Sequence, residues 1–255
     1  MSNLQLPAKL LWKDRLYGGY VSSGQSFVDG SLGSSKDPEH IFSGRRAHIQ
    51  NIIGHLPADP ASIILDLGCG HGAFLYFLEK AGYTKAFGVD ISAEQIKFAH
   101  GLGIARTKCG NLVDELQGTA SDSIDAILLM DILEHLENGE LFEILDEVNR
   151  VLRRGGVCLA HVPNAEGIYG SRVRYSDLTH ERAFTPKSAE QLFQTVGLSD
   201  VNCFEDRPEI HGIKSLVRRI LWTVGTIPHR LLLTAETGTA KFVLSQNMLI
   251  SARKR

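Results

Sequence analysis

The densest chemistry in this 255-residue chain lies in one glycine run and the acids around it. In Asp66-Leu67-Gly68-Cys69-Gly70-His71-Gly72 the glycines fall at alternate positions. Such a run lets the backbone turn sharply and lets a ligand approach with no Cβ in the way. Its spacing is G-x-G-x-G rather than the G-x-G-x-x-G that cradles a pyrophosphate. Asp66 opens the turn, where a carboxylate suits a cationic ligand and opposes a diphosphate. Asp90, in Gly88-Val89-Asp90-Ile91, lies about 20 residues further on, where an acid commonly accepts hydrogen bonds from ribose hydroxyls. Its alternative role is to cap a helix that starts near Ser92 and Ala93.

Three histidines supply a second kind of chemistry. Histidine titrates near neutral pH and is the usual general base for an alcohol or phenol. His135 begins a helix, where it can also contact a ligand or cap the turn. His161 sits inside an apolar strand and reads as a satisfied core histidine. His180 lies in the loop from Tyr169 to Thr185, among two tyrosines, three arginines and two acids. It is the first choice as base, with Asp177 beside it and His135 as the second candidate. The alternative is that His180 and Asp177 only tie the loop together. Asn164, Tyr169, Arg174 and Tyr175 are the candidates for holding an acceptor. No grouping of histidine, cysteine and carboxylate has metal-ligand spacing, and no H-E-x-x-H is present, so the expected chemistry is metal-independent.

Alternating elements must position these residues. Ile63-Ile64-Leu65 reads as a strand buried on both faces, followed by the glycine turn and a helix over 73–81. A strand over 86–89 and a helix over 93–100 follow, then strands over 104–108 and 124–130. The stripe Leu141, Ile144, Leu145, Val148, Val151 and Leu152 predicts a helix over 137–153, ended by Gly155-Gly156. A strand over 157–162, a helix over 188–196 and strands over 201–204 and 242–251 complete the reading. An earlier helix spans 45–56. Strands separated by helices imply right-handed crossovers and a doubly wound α/β sheet. The glycine turn then lies at the carboxyl edge of that sheet, where such folds bind ligands.

Composition narrows the class. Hydrophobic residues make up 43% and charged residues 22%, as in ordinary globular chains. A formal net charge of −2 provides no basic field, so nucleic acid is not an expected partner. Cys69, Cys109, Cys158 and Cys203 stand alone, which fits reduced thiols and a cytoplasmic location. No signal-peptide run or membrane-spanning segment is apparent.

The segments 64–72, 88–91 and Asp131-Ile132-Leu133-Glu134-His135-Leu136 together resemble the class I S-adenosylmethionine-dependent methyltransferases. The resemblance covers roughly residues 45–205, with the last segment similar to the ubiquinone-biosynthesis type. It implies a Rossmann-like, seven-stranded, mostly parallel sheet whose last strand is antiparallel. It also implies S-adenosylmethionine as donor and S-adenosylhomocysteine as product. Asp66, Gly68, Cys69 and Gly70 would lie at the donor's methionine portion, and Asp90 and Ile91 at its ribose. Gly110, Asn111 and Leu112 would form the adenine loop, with Met130, Asp131 and His135 closing the site. Many relatives carry an acid where Asn111 stands, though an asparagine carbonyl can still accept from an adenine amino group. Val162-Pro163-Asn164 followed by Asp177-Leu178-Thr179-His180 is similar to bacterial methyltransferases of cell-surface sugar and secondary-metabolite pathways. The expected reaction is O-methylation of a small molecule such as a saccharide or glycosylated metabolite. N- or C-methylation of, for example, a quinone precursor is the alternative. A nicotinamide-dependent oxidoreductase and a non-catalytic binding protein are the readings outside that chemistry.

Two segments flank the expected domain at 45–255. Residues 1–44 read as a cap over the donor, and Arg45 and Arg46 either pair with its carboxylate or solvate a helix start. The insertion at 207–240 carries Ile213, Leu216, Val217, Ile220, Leu221 and Val224 as one helical stripe, with Lys214, Arg218 and Arg219 on the other side. A lid packed on the core, a homodimer contact and a peripheral membrane contact through 213–224 all produce this pattern.

Overall fold

The computed structural model describes residues 37–255. Apolar strands need cover on both faces, and the chain supplies it with amphipathic helices between them. The strands are β1 (Ile63–Leu67), β2 (Lys85–Asp90), β3 (Thr107–Cys109), β4 (Ile124–Met130), β5 (Leu152–Pro163), β6 (Leu198–Glu205) and β7 (Asn247–Lys254). They form one seven-stranded sheet in the order β3-β2-β1-β4-β5-β7-β6, with β7 antiparallel to both neighbours. The remaining pairs are parallel. This is the doubly wound, Rossmann-like α/β arrangement expected from the sequence.

The helices are α1 (Arg46–Ile53), α2 (Ala73–Lys80), α3 (Ala93–Gly101), α4 (Leu112–Gly118), α5 (Asn138–Val151), α6 (Gly170–Arg174), α7 (Pro186–Thr195), α8 (Ile213–Gly225) and α9 (Ile227–Thr237). One face of the sheet is covered by α1, α2 and α3 through Ile49, Phe74, Leu78 and Ile96. The other is covered by α4, α5 and α7 through Leu116, Leu145, Val148 and Phe193. Local chemistry sets the helix starts. Ser92 accepts from the Gln95 N–H at the start of α3, and Thr185, Pro186 and Ser188 build a capping box at the start of α7.

The largest departure from the sequence reading is at Gly155-Gly156. Helix α5 ends at Val151, and Leu152 is already extended, so the glycines lie inside β5 rather than at a helix stop. Pairing jumps from Ile124 with Leu152 to Ala126 with Val157, so residues 153–156 bulge out of the ladder. Arg153, expected at a helix terminus, pairs with Asp125 instead. The third strand begins later than expected because Ile104 packs beneath the glycine turn at Gly72. The final strand also begins later, because 243–246 serves another purpose described below.

Of the expected N-terminal cap, residues 1–36 lie outside the described residues. The described part contributes a helical turn at Pro38–Ile41 and the buried Phe42, whose ring stacks on His71 of the glycine turn at 6.2 Å. The cysteines are all free thiols, and no described helix is long and apolar enough to cross a membrane.

Candidate active site

Parallel register brings the key residues to one edge. Asp66 on β1 lies between Gly88 on β2 and Leu128 on β4, Asp90 pairs with Cys109, and Met130 pairs with His161. Beyond β1 the chain turns through Gly68 (φ +78°) and Gly70 (φ +55°). A Cβ on Gly68 would lie 2.1 Å from Ile132 Cδ1, and one on Gly70 would lie 2.8 Å from Gln95 Oε1. The left-handed backbone angle favours glycine at both positions, and a side chain would also have to displace Ile132 or Gln95. Cys69, by contrast, is buried with its side chain against Gly88, so only its backbone faces the turn.

Asp66 is 1% exposed, and neither carboxylate oxygen has a hydrogen-bond partner among the described residues. Burial, and then the charge of Asp90, push its carboxyl up to about 7, with Arg45 acting in the opposite direction. A buried acceptor without a donor is costly unless a ligand completes it. Arg45 is half-buried and near enough to Asp131 to lower that carboxyl as well, so it turns toward the site. Arg46 is exposed and pairs with Glu39. The solvated role thus falls to Arg46.

Asp90 holds the turn in place. Its Oδ2 accepts from the Gly70 N–H at 2.8 Å and its Oδ1 from the Ser92 N–H at 2.8 Å. The helix cap belongs to Ser92, which removes capping as the main role of Asp90. Ile91, next in the chain, is 64% exposed beside this edge. Gly110 donates its N–H to the Asp90 carbonyl at 3.0 Å. Asn111 caps α4 through Val113 N–H at 2.8 Å, which uses one of the two lone pairs of its carbonyl oxygen. Leu112 packs on the core, and Met130 is buried.

The histidines fall into two groups. The first brings together His135, Asp177 and His180, the catalytic candidates of the sequence; the second draws on segments that spacing does not connect. In the first, Asp177 Oδ1 accepts from Thr179 Oγ1 at 2.6 Å, and Thr179 Oγ1 meets His135 Nδ1 at 2.7 Å. With the hydroxyl proton directed to Asp177, the Thr179 oxygen accepts from His135 Nδ1–H, leaving the lone pair on Nε2. The His180 ring lies 4.7 Å from that of His135, edge to face, and its Nδ1–H donates to the Val173 carbonyl at 3.1 Å. Burial would raise the Asp177 carboxyl, but the Thr179 hydrogen bonds and the two histidines hold it below its ordinary value. Glu134, buried beneath this pair, is pushed well above the usual range by burial and then by Asp131.

The second group joins His161 to three partners. Its Nδ1 meets Asp131 Oδ1 at 2.6 Å and its Nε2 meets Asp206 Oδ2 at 3.4 Å, while His48 Nδ1 lies 3.2 Å from Asp206 Oδ1. Burial alone would lower His161, but Asp131 and Asp206 push it up to about 10. His161 is therefore the satisfied core histidine that the sequence suggested, with two acids as its partners that favour its charged form. Among the described residues, His48, His161 and Asp206, and likewise Glu134, His135 and His180, bring possible metal-ligand atoms within 4.8 Å of one another. Ion pairs already engage the first set; in the second, hydrogen bonds hold His135 and His180, while the buried Glu134 Oε2 has no partner among the described residues.

The remaining acceptor candidates divide. Tyr169 and Tyr175 are exposed. Arg174 donates to the Glu181 carbonyl at 2.8 Å and lies over the Tyr175 ring, which closes the loop on itself. Asn164 is not at the surface at all. Its Nδ2 donates to the Val243 and Ser245 carbonyls at 2.7 and 2.8 Å, and its Oδ1 accepts from the Glu166 N–H at 3.1 Å. The expectation that Asn164 holds an acceptor is corrected accordingly: every polar atom of its side chain fastens backbone.

Sequence reasoning missed Thr179, Glu134, His48 and Asp206. Asp177-Leu178-Thr179 carries the signature of an Asx turn, and Asp177 Oδ1 does accept from Thr179 N–H at 2.8 Å. That signal was available. Asp206 and His48 meet His161 only through the fold.

Residues 43–202 match the family described as "Methyltransferase domain". A 2-ketoarginine methyltransferase of Streptomyces arginensis is 31% identical over 163 residues, covering 57% of this chain and 47% of that protein. A cyclopropane-fatty-acyl-phospholipid synthase of Escherichia coli strain K12 is 27% identical over 139 residues, covering 53% and 35%. The chain thus spans about half or less of the length of these curated relatives. A SAM-dependent methyltransferase structure from Archaeoglobus fulgidus superposes with a TM-score of 0.63 at 22% identity, over 92% of this chain and 99% of that one. These similarities in sequence and fold agree with the geometry of the glycine turn.

Proposed function

This chain belongs to the methyltransferase-domain family, with S-adenosylmethionine as its donor, and from that premise we propose that it methylates an oxygen of a small molecule such as a saccharide or glycosylated metabolite. The observation that carries the oxygen acceptor is the Asp177–Thr179–His135 relay, with His180 packed against it at the same edge. When bound, the donor supplies a methyl group on a positively charged sulfur. Asp66 would receive its ammonium group, with Arg45 near its carboxylate and Asp90 and Ile91 at the ribose. The orphaned Asp66 carboxylate and the two glycine positions fit that cargo.

The acceptor's proton goes to His135 Nε2. Asp177, acting through Thr179, stabilises the imidazolium that results and fixes the ring's tautomer. His180 sits where it can orient the same hydroxyl. The sequence favoured His180 as the base; the acid-backed position belongs to His135, which shifts the assignment. Placing acceptor and donor together supplies much of the remaining acceleration. The same base serves a carbon acid next to a carbonyl, and the 2-ketoarginine methyltransferase relative favours that as the second reading.

Two measurements test the reading. Calorimetric titration should show binding of S-adenosylhomocysteine and not of NAD; the reverse would end it. With hydroxylated and 2-keto acceptors assayed side by side, His135→Ala should lower turnover by roughly 10²–10⁴-fold with donor affinity unchanged. Turnover at the wild-type level in both His135→Ala and His180→Ala would remove the histidine base.

A further inference from the structure

Helices α8 and α9 leave the domain with almost nothing covered. Ser215 is the buried residue of α8, and α9 has none. Of the arrangements the sequence left open, packing of the stripe on the core is not seen: Ile213 is 83% exposed, and Ile220, Leu221 and Val224 are exposed with it. On α9, Leu232 is 71% exposed, beside an exposed Leu231. The pair is nonetheless firmly mounted. Arg230 pairs with Glu205 of β6 and donates to the Phe242 carbonyl at 3.1 Å, while Arg219 donates to the Pro208 carbonyl at 3.1 Å. A contiguous apolar face of this kind on a monomer marks an interaction surface.

Charge identifies what covers it. Across α8 and α9 the chain has Lys214, Arg218, Arg219 and Arg230 against a single acid, Glu236, and Arg230 is already paired with Glu205, whereas the whole chain has a net charge of −2. At about 100° per residue, Lys214 borders the apolar stripe of α8, and Arg218 and Arg219 lie farther round on its two flanks. Two copies of this face brought together would set like charges against each other. An anionic lipid surface satisfies both features, taking the apolar side chains into the acyl boundary and the cations at its phosphates. Neither helix is long and apolar enough to cross a bilayer, so the pair must lie along one.

We propose that α8 and α9 seat this enzyme on anionic phospholipid membranes, a role independent of which acceptor atom is methylated. The full chain is to be sedimented with vesicles of phosphatidylcholine alone and of phosphatidylcholine with phosphatidylglycerol. Wild type should partition to the phosphatidylglycerol vesicles, and added salt should weaken the association. The double variant Ile220→Glu/Leu221→Glu should bind at least about tenfold more weakly, as should Lys214→Glu/Arg218→Glu. Unchanged melting temperature and S-adenosylhomocysteine affinity would certify that both variants fold. The proposal is overturned if wild type ignores phosphatidylglycerol vesicles, or if Ile220→Glu/Leu221→Glu binds them as wild type does. It is equally overturned if wild type ignores vesicles but forms a dimer that this variant dissociates, or if it binds only after residues 1–36 are removed.

Discussion

Asp66 is a carboxylate held nearly dry with no donor from the described protein. Its position gives a signed pH prediction. In the free protein its carboxyl is raised from 3.8 to about 7, so within that window the folded chain keeps a proton the unfolded chain has lost. Stability contributed by this group therefore declines as pH rises toward about 7 and is constant above it. A ligand ammonium favours the ionised form. Binding of S-adenosylhomocysteine should then release a proton, and affinity should fall by up to about tenfold per pH unit below the raised value. Asp66→Asn should bind more weakly at neutral pH and show a flat profile. Calorimetry across buffers of different ionisation enthalpy checks both, and an unaltered profile in Asp66→Asn would place the ammonium elsewhere. At this scale the sequence was legible where geometry depends on residue type at short spacing, as in the turn built by Asp66, Gly68, Gly70 and Asp90. It was not legible where partners are distant, so the acids against His161 and the Thr179 link from Asp177 to His135 emerged only with the fold.

Elements were legible where one period dominates. β4 is buried along its whole length, and the stripe on α5 faces the core as its spacing requires. Gly155-Gly156 misled because a glycine pair ends a helix and breaks a ladder by the same backbone freedom. Asn164 misled because a polar residue after a strand at the ligand edge looks like a ligand contact. Its actual partners, Val243 and Ser245, arrive from about 80 residues later, in a run that sequence patterning assigned to the last strand. Asn164→Ala leaves one buried carbonyl, one part-buried carbonyl and one part-buried N–H short of a partner, so it should destabilise the protein by about 2 kcal/mol. A urea titration checks this, with a lower midpoint and an unchanged slope as the expected result.

For the whole molecule, stability is unevenly distributed. The sheet and its two helical layers share the buried core, whereas α8 and α9 contribute almost no buried side chains. Amides of α8 and α9 should therefore exchange with deuterium well ahead of those in β4, which is paired on both sides. Native-state exchange followed by fragment mass would show it, and equal protection would mean the pair is covered in the free protein. The insertion's amphipathic pattern was plain in the sequence; its orientation was not, because a stripe specifies that a face is apolar without naming its neighbour.

The fastening of Asn164 has a consequence for how such enzymes can be re-engineered or diverge. One amide side chain rivets the start of the loop that follows β5 to the strap at 243–246, which is itself the exit from the appended helices. The loop and the strap therefore behave as one cassette. A chimaera that imports a foreign loop without its matching strap would arrive unlatched, so swaps of specificity should succeed only when both pieces travel together.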